Sequence, residues 1–324
     1  MIVTLTPNPS IDSTLALGDE LTRGAVQRLD TVTAVAGGKG INVAHAVFLA
    51  GEDTQAHFPA GRLDPFVPLV NEIGFPIKTV RIPNNVRTNT TVTEPDGTTT
   101  KLNGPGAPLS AEHIKALEKM LIHAVSPEVT WVVLAGSLPP GVPVDWYSRL
   151  TVLIHEKSPG TRVAVDTSDA PLREVGLHLE KPGAAPNLIK PNGLELGQLV
   201  GVDGQQLEDR ARAGEFSPII ESATRLVERG IEQVLVTLGD AGAVLVNADG
   251  AWVASTPKIT AVSTVGAGDC ALAGFVLAHS QGLPTADSVI QAVSYGSAAA
   301  ALPGTTIPRP DQVTSAGAEI SKVV

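Results

Sequence analysis

Cysteine is almost missing from this chain: Cys270 is the single one among 324 residues. One thiol cannot build an internal disulfide framework, which fits a reducing compartment such as the cytoplasm. A small apolar helix position suits Cys270 better than a redox role. Positive charge is also scarce, with 23 Lys and Arg against 33 Asp and Glu, a formal net charge of -10 and a pI near 5.2. That balance argues against nucleic acid or an anionic membrane surface as the main partner, so any anionic ligand must be held by local groups. No apolar run reaches the roughly 18 residues of a membrane span. The opening MIVTLTPNPS lacks the basic stretch and apolar segment of a signal peptide. Repeats at solenoid periods and low-complexity tracts are absent as well.

What is present is a hydrophobic content of 43 %, enough for one large α/β domain or two smaller ones. Short β-branched runs alternate with helical patterns, the mark of βαβ units around a largely parallel sheet. Strands are expected at Ile2–Leu5, Gln55–Phe58, Ile77–Val80, Trp131–Leu134, Arg162–Val165, Asn187–Ile189 and Gln233–Thr237. Helices are expected at Ile41–Leu49, Ala111–His123, Pro218–Arg229 and Ala271–Ala278. The fold class is therefore α/β, an open, mostly parallel sheet with helices on both faces. Two Thr/Val-rich regions break the rhythm, and the second carries Pro95-Asp96-Gly97, a hairpin turn signal. They read as strands of a small separate sheet able to cover a site, with residues 10–36 and 86–103 as lid and 1–9, 37–85 and 104–324 as main domain. Residues 204–218, polar and charged, read as a solvated connection.

Several clusters could carry chemistry. In STVGAGDC, Gly266, Ala267 and Gly268 open a helix whose amides attract anions, yet Asp269 stands among them. The carboxylate is either a first-turn helix stabiliser or a base aimed at a transferring group. GAGDCA also fits a dinucleotide fingerprint, with Asp287 about 20 residues on, so an NAD(P)-binding oxidoreductase is an alternative. In AGGKGINVAHA, glycines bracket Lys39 and Asn42 projects from the first helical turn, without the spacing of a Walker A loop. In IKPNGLEL, Asn192 and Glu195 are three apart and share a helix face, which suits a hydrated divalent ion near phosphates or a plain N-cap. Lys190 adds positive charge beside them. Asp12 follows the first strand, where it can accept from sugar hydroxyls, and Arg87 offers a planar donor fork for phosphate.

TPNPSID, GGKGINVA, GSLPPG, KPNGLE, TLGDAGAVLV and STVGAGD, in this order, resemble the ribokinase-like carbohydrate kinases of the phosphofructokinase B branch, from residue 1 to about Pro308. The resemblance implies ATP and Mg²⁺ as cofactors and a ketose phosphate as acceptor, with fructose 1-phosphate first and tagatose 6-phosphate or fructose 6-phosphate as alternatives. It implies Asp269 as general base and Gly266, Ala267 and Gly268 as anion hole. Asn192 and Glu195 then position Mg²⁺ through water. Asp12, Gly38, Lys39, Asn42 and Ser137 face the sugar, Arg87 its phosphate. Arg28 is a lid arginine for its own or a partner's site, and Lys190, Thr237, Gly239 and Gly268 lie on the nucleotide side. The resemblance also implies a homodimer paired through the lid. Gly104, where the branch has an acidic residue, and Asp169, where it has glycine, depart from the pattern.

Overall fold

The computed structural model describes residues 1–323. Its strands are β1 (Ile2–Leu5), β2 (Ser10–Leu17), β3 (Leu29–Gly37), β4 (Thr54–Gly61), β5 (Ile77–Ile82), β6 (Arg87–Thr93), β7 (Thr99–Asn103), β8 (Trp131–Ala135), β9 (Arg162–Asp166), β10 (Leu188–Ile189), β11 (Gln233–Thr237), β12 (Ala243–Asn247), β13 (Gly250–Ala254) and β14 (Ile320–Lys322). The helices are α1 (Lys39–Leu49), α2 (Phe66–Ile73), α3 (Ala111–Ala124), α4 (Trp146–Lys157), α5 (Asp169–His178), α6 (Gly193–Val200), α7 (Gly204–Arg212), α8 (Ser217–Glu228), α9 (Ala267–Ser280) and α10 (Thr285–Ala300).

Ten strands form the large sheet, in the order β14-β13-β12-β11-β10-β9-β8-β1-β4-β5. Pairing is parallel from β11 through to β5, and antiparallel from β11 to the β14 edge. Alternate residues feed opposite layers: Val3, Leu5, Val132 and Leu134 pack with α3, α4, α5 and α8, whereas Ile2, Trp131 and Val133 pack with α1, α9 and α10. Because both faces are covered, the central strands read as continuous apolar runs. From β1, successive units move outward to β4 and β5 on one side, then return to β8 and run to β11 on the other. Such a reversal opens a crevice at the carboxyl ends of the strands.

The second sheet has the order β3-β2-β6-β7. The expected hairpin joins β6 to β7: Gly97 N–H donates to the Glu94 carbonyl at 3.0 Å, and Asp96 Oδ1 accepts from Thr98 N–H at 2.8 Å. Its base rests on the main domain, where Ile11 and Ala36 pack against Ile41, Phe58 and Phe66. Farther out, Leu29–Val35 of β3 are exposed.

Two expectations need correction. Residues 204–212 are not an irregular connection but helix α7, started by Asp203, whose Oδ1 accepts from Gln205 and Gln206 N–H. Its apolar stripe is only Leu207 and Ala211, too thin to show against the surrounding charge. Residues 255–265 before GAGDCA hold no strand, so the strand-turn-helix context of a dinucleotide fingerprint is missing. The antiparallel strands β12–β14 and helices α2, α4, α5 and α10 were not expected.

Candidate active site

At the carboxyl edge of the large sheet, α1 and α9 point their first turns into the crevice. Helix α9 starts at Gly266, in the left-handed region at φ 80, and no side chain caps it. Ala267 N–H reaches the Thr264 carbonyl at a long 3.4 Å, and no side chain competes with a ligand for the remaining amides of this turn. Asp269 lies in that turn, 8 % exposed, and its Oδ2 accepts from Asn42 Nδ2 of α1 at 2.8 Å. Burial pushes the Asp269 carboxyl above the usual carboxylate range, with Lys39 opposing and Asp166 reinforcing that push.

Asp166 closes β9 with its side chain wholly buried. Its Oδ1 lies 2.7 Å from Lys39 Nζ and its Oδ2 3.3 Å from Lys190 Nζ. Burial alone would raise its pKa, but Lys190 and Lys39 outweigh it and hold the carboxylate below its ordinary range. Burial pulls on Lys39 too, yet Asp166 and then Asp269 keep its ammonium well above the ordinary lysine range. Lys190 continues toward the α9 turn: a Cβ added at Gly268 would lie 3.2 Å from its Nζ. Sequence reasoning missed Asp166. The available signal was an acidic residue ending an otherwise apolar parallel strand, where ligand-facing groups belong.

Asn192 and Glu195 form a reciprocal capping box on α6, with Asn192 Oδ1 accepting from Glu195 N–H at 2.8 Å and Glu195 Oε2 from Asn192 N–H at 2.9 Å. The N-cap reading is thus realised. Glu195 Oε1 still meets no protein donor among the described residues, and burial raises the Glu195 pKa. No group of three or more His, Cys, Asp or Glu among the described residues could hold a metal by itself. A pair of oxygen donors fits Mg²⁺ that keeps waters and phosphate oxygens as its remaining ligands. Thr237 pairs with Asn192 through a parallel bridge and donates its N–H to the Pro191 carbonyl at 3.0 Å, and Gly239 follows at φ 59. Both therefore flank this motif.

On the other flank, Asp12 Oδ1 accepts from Ser10 Oγ at 2.7 Å and Asn89 Nδ2 at 3.0 Å. Burial raises its pKa. Asp12 folds over Gly37, where a Cβ would come within 2.2 Å of Oδ2, so a side chain there would push the Asp12 carboxylate from its place. Gly38, at φ 122, then turns the chain into α1. Arg87 begins β6 and lines a cleft of ≈ 290 Å³ with Asn84, Asn85, Thr88 and the 104–108 loop. Its Nη1 donates to the Gly104 carbonyl at 3.1 Å, while its buried Nε has no partner. Burial lowers the Arg87 pKa, so the half-buried guanidinium is partly stripped of water where it lines the cleft. Gly104 touches the Arg87 Cβ and Thr88 carbonyl closely enough that a side chain there would press on both. Its carbonyl, rather than an acidic side chain, makes the contact to Arg87. Ser137 follows β8 and accepts from Asn8 Nδ2 at 3.1 Å.

Asp169 adopts φ 56, the one non-glycine residue with positive φ among the described residues. It therefore keeps the left-handed turn that glycine would make there. Arg28 is not brought to the site: it lies exposed between β2 and β3, with no hydrogen bond or ion pair to these groups among the described residues.

Residues 6–312 match the pfkB family carbohydrate kinases. The chain is 34 % identical over 310 residues to the 1-phosphofructokinase of Haloferax volcanii, covering 95 % of this chain and 93 % of that one. It is 35 % identical over 279 residues to the 1-phosphofructokinase of Xanthomonas campestris pv. campestris, covering 85 % and 83 %. Among solved structures it resembles phosphofructokinase-2 from Escherichia coli in complex with substrates and products, at TM-score 0.84, 29 % identity and 96 % coverage of each chain.

Proposed function

As the chain belongs to the pfkB family of carbohydrate kinases and is a sugar-phosphate kinase, we propose that it transfers the γ-phosphoryl group of ATP to fructose 1-phosphate, giving fructose 1,6-bisphosphate. The observation that carries the chemistry is Asp269, buried, held by Asn42 and set beside the uncapped turn of α9. Asp269 accepts the proton of the acceptor hydroxyl as that oxygen forms its bond to the γ-phosphorus. The bond from the γ-phosphorus to the bridging oxygen breaks, and ADP leaves. The amides of Gly266, Ala267 and Gly268, with Lys190 beside Gly268, meet the charge on the transferred group. Lys39 and Asp166 keep the surrounding charges fixed, so little reorganisation is needed as the bond forms. Asn192 and Glu195 would hold Mg²⁺, which when bound neutralises phosphate charge.

The choice of acceptor rests on Arg87 and on the names of the curated relatives. A half-buried guanidinium with an unpaired Nε in a cleft calls for an anion, and the phosphate already on the sugar supplies one. Asp12, Gly38, Lys39, Asn42 and Ser137 would hold the sugar, and Thr237 and Gly239 the nucleotide.

Residues 10–36 and 86–103 act as the lid, and a homodimer forms through it. Val32 at 60 % exposure and Leu102 at 61 % lie on one face of this small sheet with Leu15 and Val92, leaving apolar surface for a second copy. Arg28 at its edge would then serve whichever site the pairing brings near. The buried lone thiol suits the cytoplasm. ADP release measured with MgATP and fructose 1-phosphate, tagatose 6-phosphate, fructose 6-phosphate and free fructose tests the assignment. The highest kcat/KM is expected for fructose 1-phosphate, and a higher value for either 6-phosphate would reassign the substrate.

A further inference from the structure

Asn8 is 4 % exposed, in the TPNPS turn after β1. Its side chain joins three loops that come from distant parts of the chain. Nδ2 donates to Ser137 Oγ at 3.1 Å, in the loop after β8, and to the Pro105 carbonyl at 3.3 Å, in the loop after β7. Pro105 offers an acceptor only, so the amide cannot be turned round without setting two oxygens against each other. The third contact is steric. A Cβ at Gly106 would lie 2.1 Å from Asn8 Oδ1, and Gly106 itself sits at φ 98, so this backbone closes on the amide as only glycine permits.

The loop that Asn8 grips is one wall of the Arg87 cleft, formed by Gly104, Pro105, Gly106, Ala107 and Pro108. The same wall takes the Arg87 Nη1 hydrogen bond at Gly104. Asn8 also fixes what Ser137 can do. With one Oγ lone pair taken by the amide and no other partner among the described residues, the hydroxyl proton is left to donate into the crevice.

We propose that Asn8 is a positioning residue that clamps the 104–108 wall onto Ser137 and thereby sets the preference for a phosphorylated over an unphosphorylated acceptor. The proposal rests on the acceptor-phosphate reading of the Arg87 cleft. The side-chain amide of Asn8 is taken up by Ser137, Pro105 and the Gly106 backbone, so it acts through the wall and the serine.

Asn8→Asp keeps the shape but replaces the donating amide with an acceptor, which repels the Pro105 carbonyl and captures the Ser137 proton. The test compares kcat and KM for fructose 1-phosphate and for free fructose, with KM for ATP and the melting temperature as controls. The expected result is a KM for fructose 1-phosphate raised about tenfold or more, a phosphorylated-to-free kcat/KM ratio reduced about tenfold, and KM for ATP within about twofold of wild type. Gly106→Ala pushes on the same contact from the other side and should lower the same ratio, which keeps the test alive if Asn8→Asp does not fold. A merely structural role would lower kcat/KM for both acceptors alike, and an unchanged ratio in a folded variant overturns the proposal. If the wild type shows no preference for the phosphorylated sugar, the reading of the cleft fails first and this inference with it.

Discussion

Asp166, Lys190 and Asp269 at the edge of the large sheet are buried and tied to partners, whereas Leu29–Val35 of the small sheet stand exposed. The groups proposed to react sit at the ends of strands and helices whose positions are fixed by packing on both faces. The groups assigned to the sugar hang between that rigid edge and a sheet with one open face. On the proposed reading the contrast divides the labour: the large sheet sets the chemistry, and the small sheet and its neighbouring loops set what is admitted. Substitutions at the rigid edge should therefore strike turnover, and those toward the small sheet should strike selection or assembly.

The largest effect is expected from Asp269→Asn, which keeps the Asn42 neighbourhood but removes the proposed base. Turnover should fall by about 10³-fold while ATP binding changes little. A loss of less than about tenfold would move the base elsewhere and erase the distinction between the two regions. The same assignment fixes a pH dependence. Because burial raises Asp269, and the base must be ionised to work, kcat/KM should decline on the acid side at a pH above the ordinary carboxylate value of about 4. Asn42→Ala removes a hydrogen bond that favours the ionised form, so the acid limb should move to still higher pH. A limb that stays where it was would detach Asn42 from the base.

Asp64 probes the seam between the regions. Buried at 2 % exposure, it accepts from the N–H groups of Gly61 at the end of β4, Phe66 at the start of α2 and Val86 just before β6. Asp64→Ala should cost about 3 kcal/mol of stability, read by denaturant unfolding. In any folded fraction it should raise KM for the sugar phosphate more than KM for ATP. A charge on the open face comes next: Val32→Asp or Leu102→Asp should shift the sedimentation profile from dimer to monomer at micromolar protein, with little change in melting temperature of the monomer. The smallest effect belongs to Asp169→Gly. Relief of the left-handed backbone and loss of an acidic group from the first turn of α5 oppose each other, leaving a change below about 0.5 kcal/mol.

The sequence was legible where one physical signal dominated. Strands β1 and β11 lie within the expected bounds, because parallel strands buried on both faces are unbroken apolar runs. The β6–β7 turn was readable from Pro95-Asp96-Gly97 because its geometry is local. Asn192 and Glu195 were left with two readings, and the structure shows the cap directly while keeping one carboxylate oxygen free. What stayed hidden depends on long-range approach. Asp166 gains its meaning from Lys39, 127 residues away, and Asn8 from Ser137, 129 residues away; no local pattern marks either pair. Helix α7 was hidden for a different reason, since a two-residue apolar stripe is swamped by charge.

On the proposed reading, this edge moves a phosphoryl group from ATP onto a free hydroxyl of a ketose phosphate. Phosphorus NMR of the wild-type enzyme with MgATP and fructose 1-phosphate tests it most directly. ADP and fructose 1,6-bisphosphate are expected in equal amounts, with no inorganic phosphate. ADP accompanied by inorganic phosphate alone, or no transfer to the sugar phosphate at all, would contradict it.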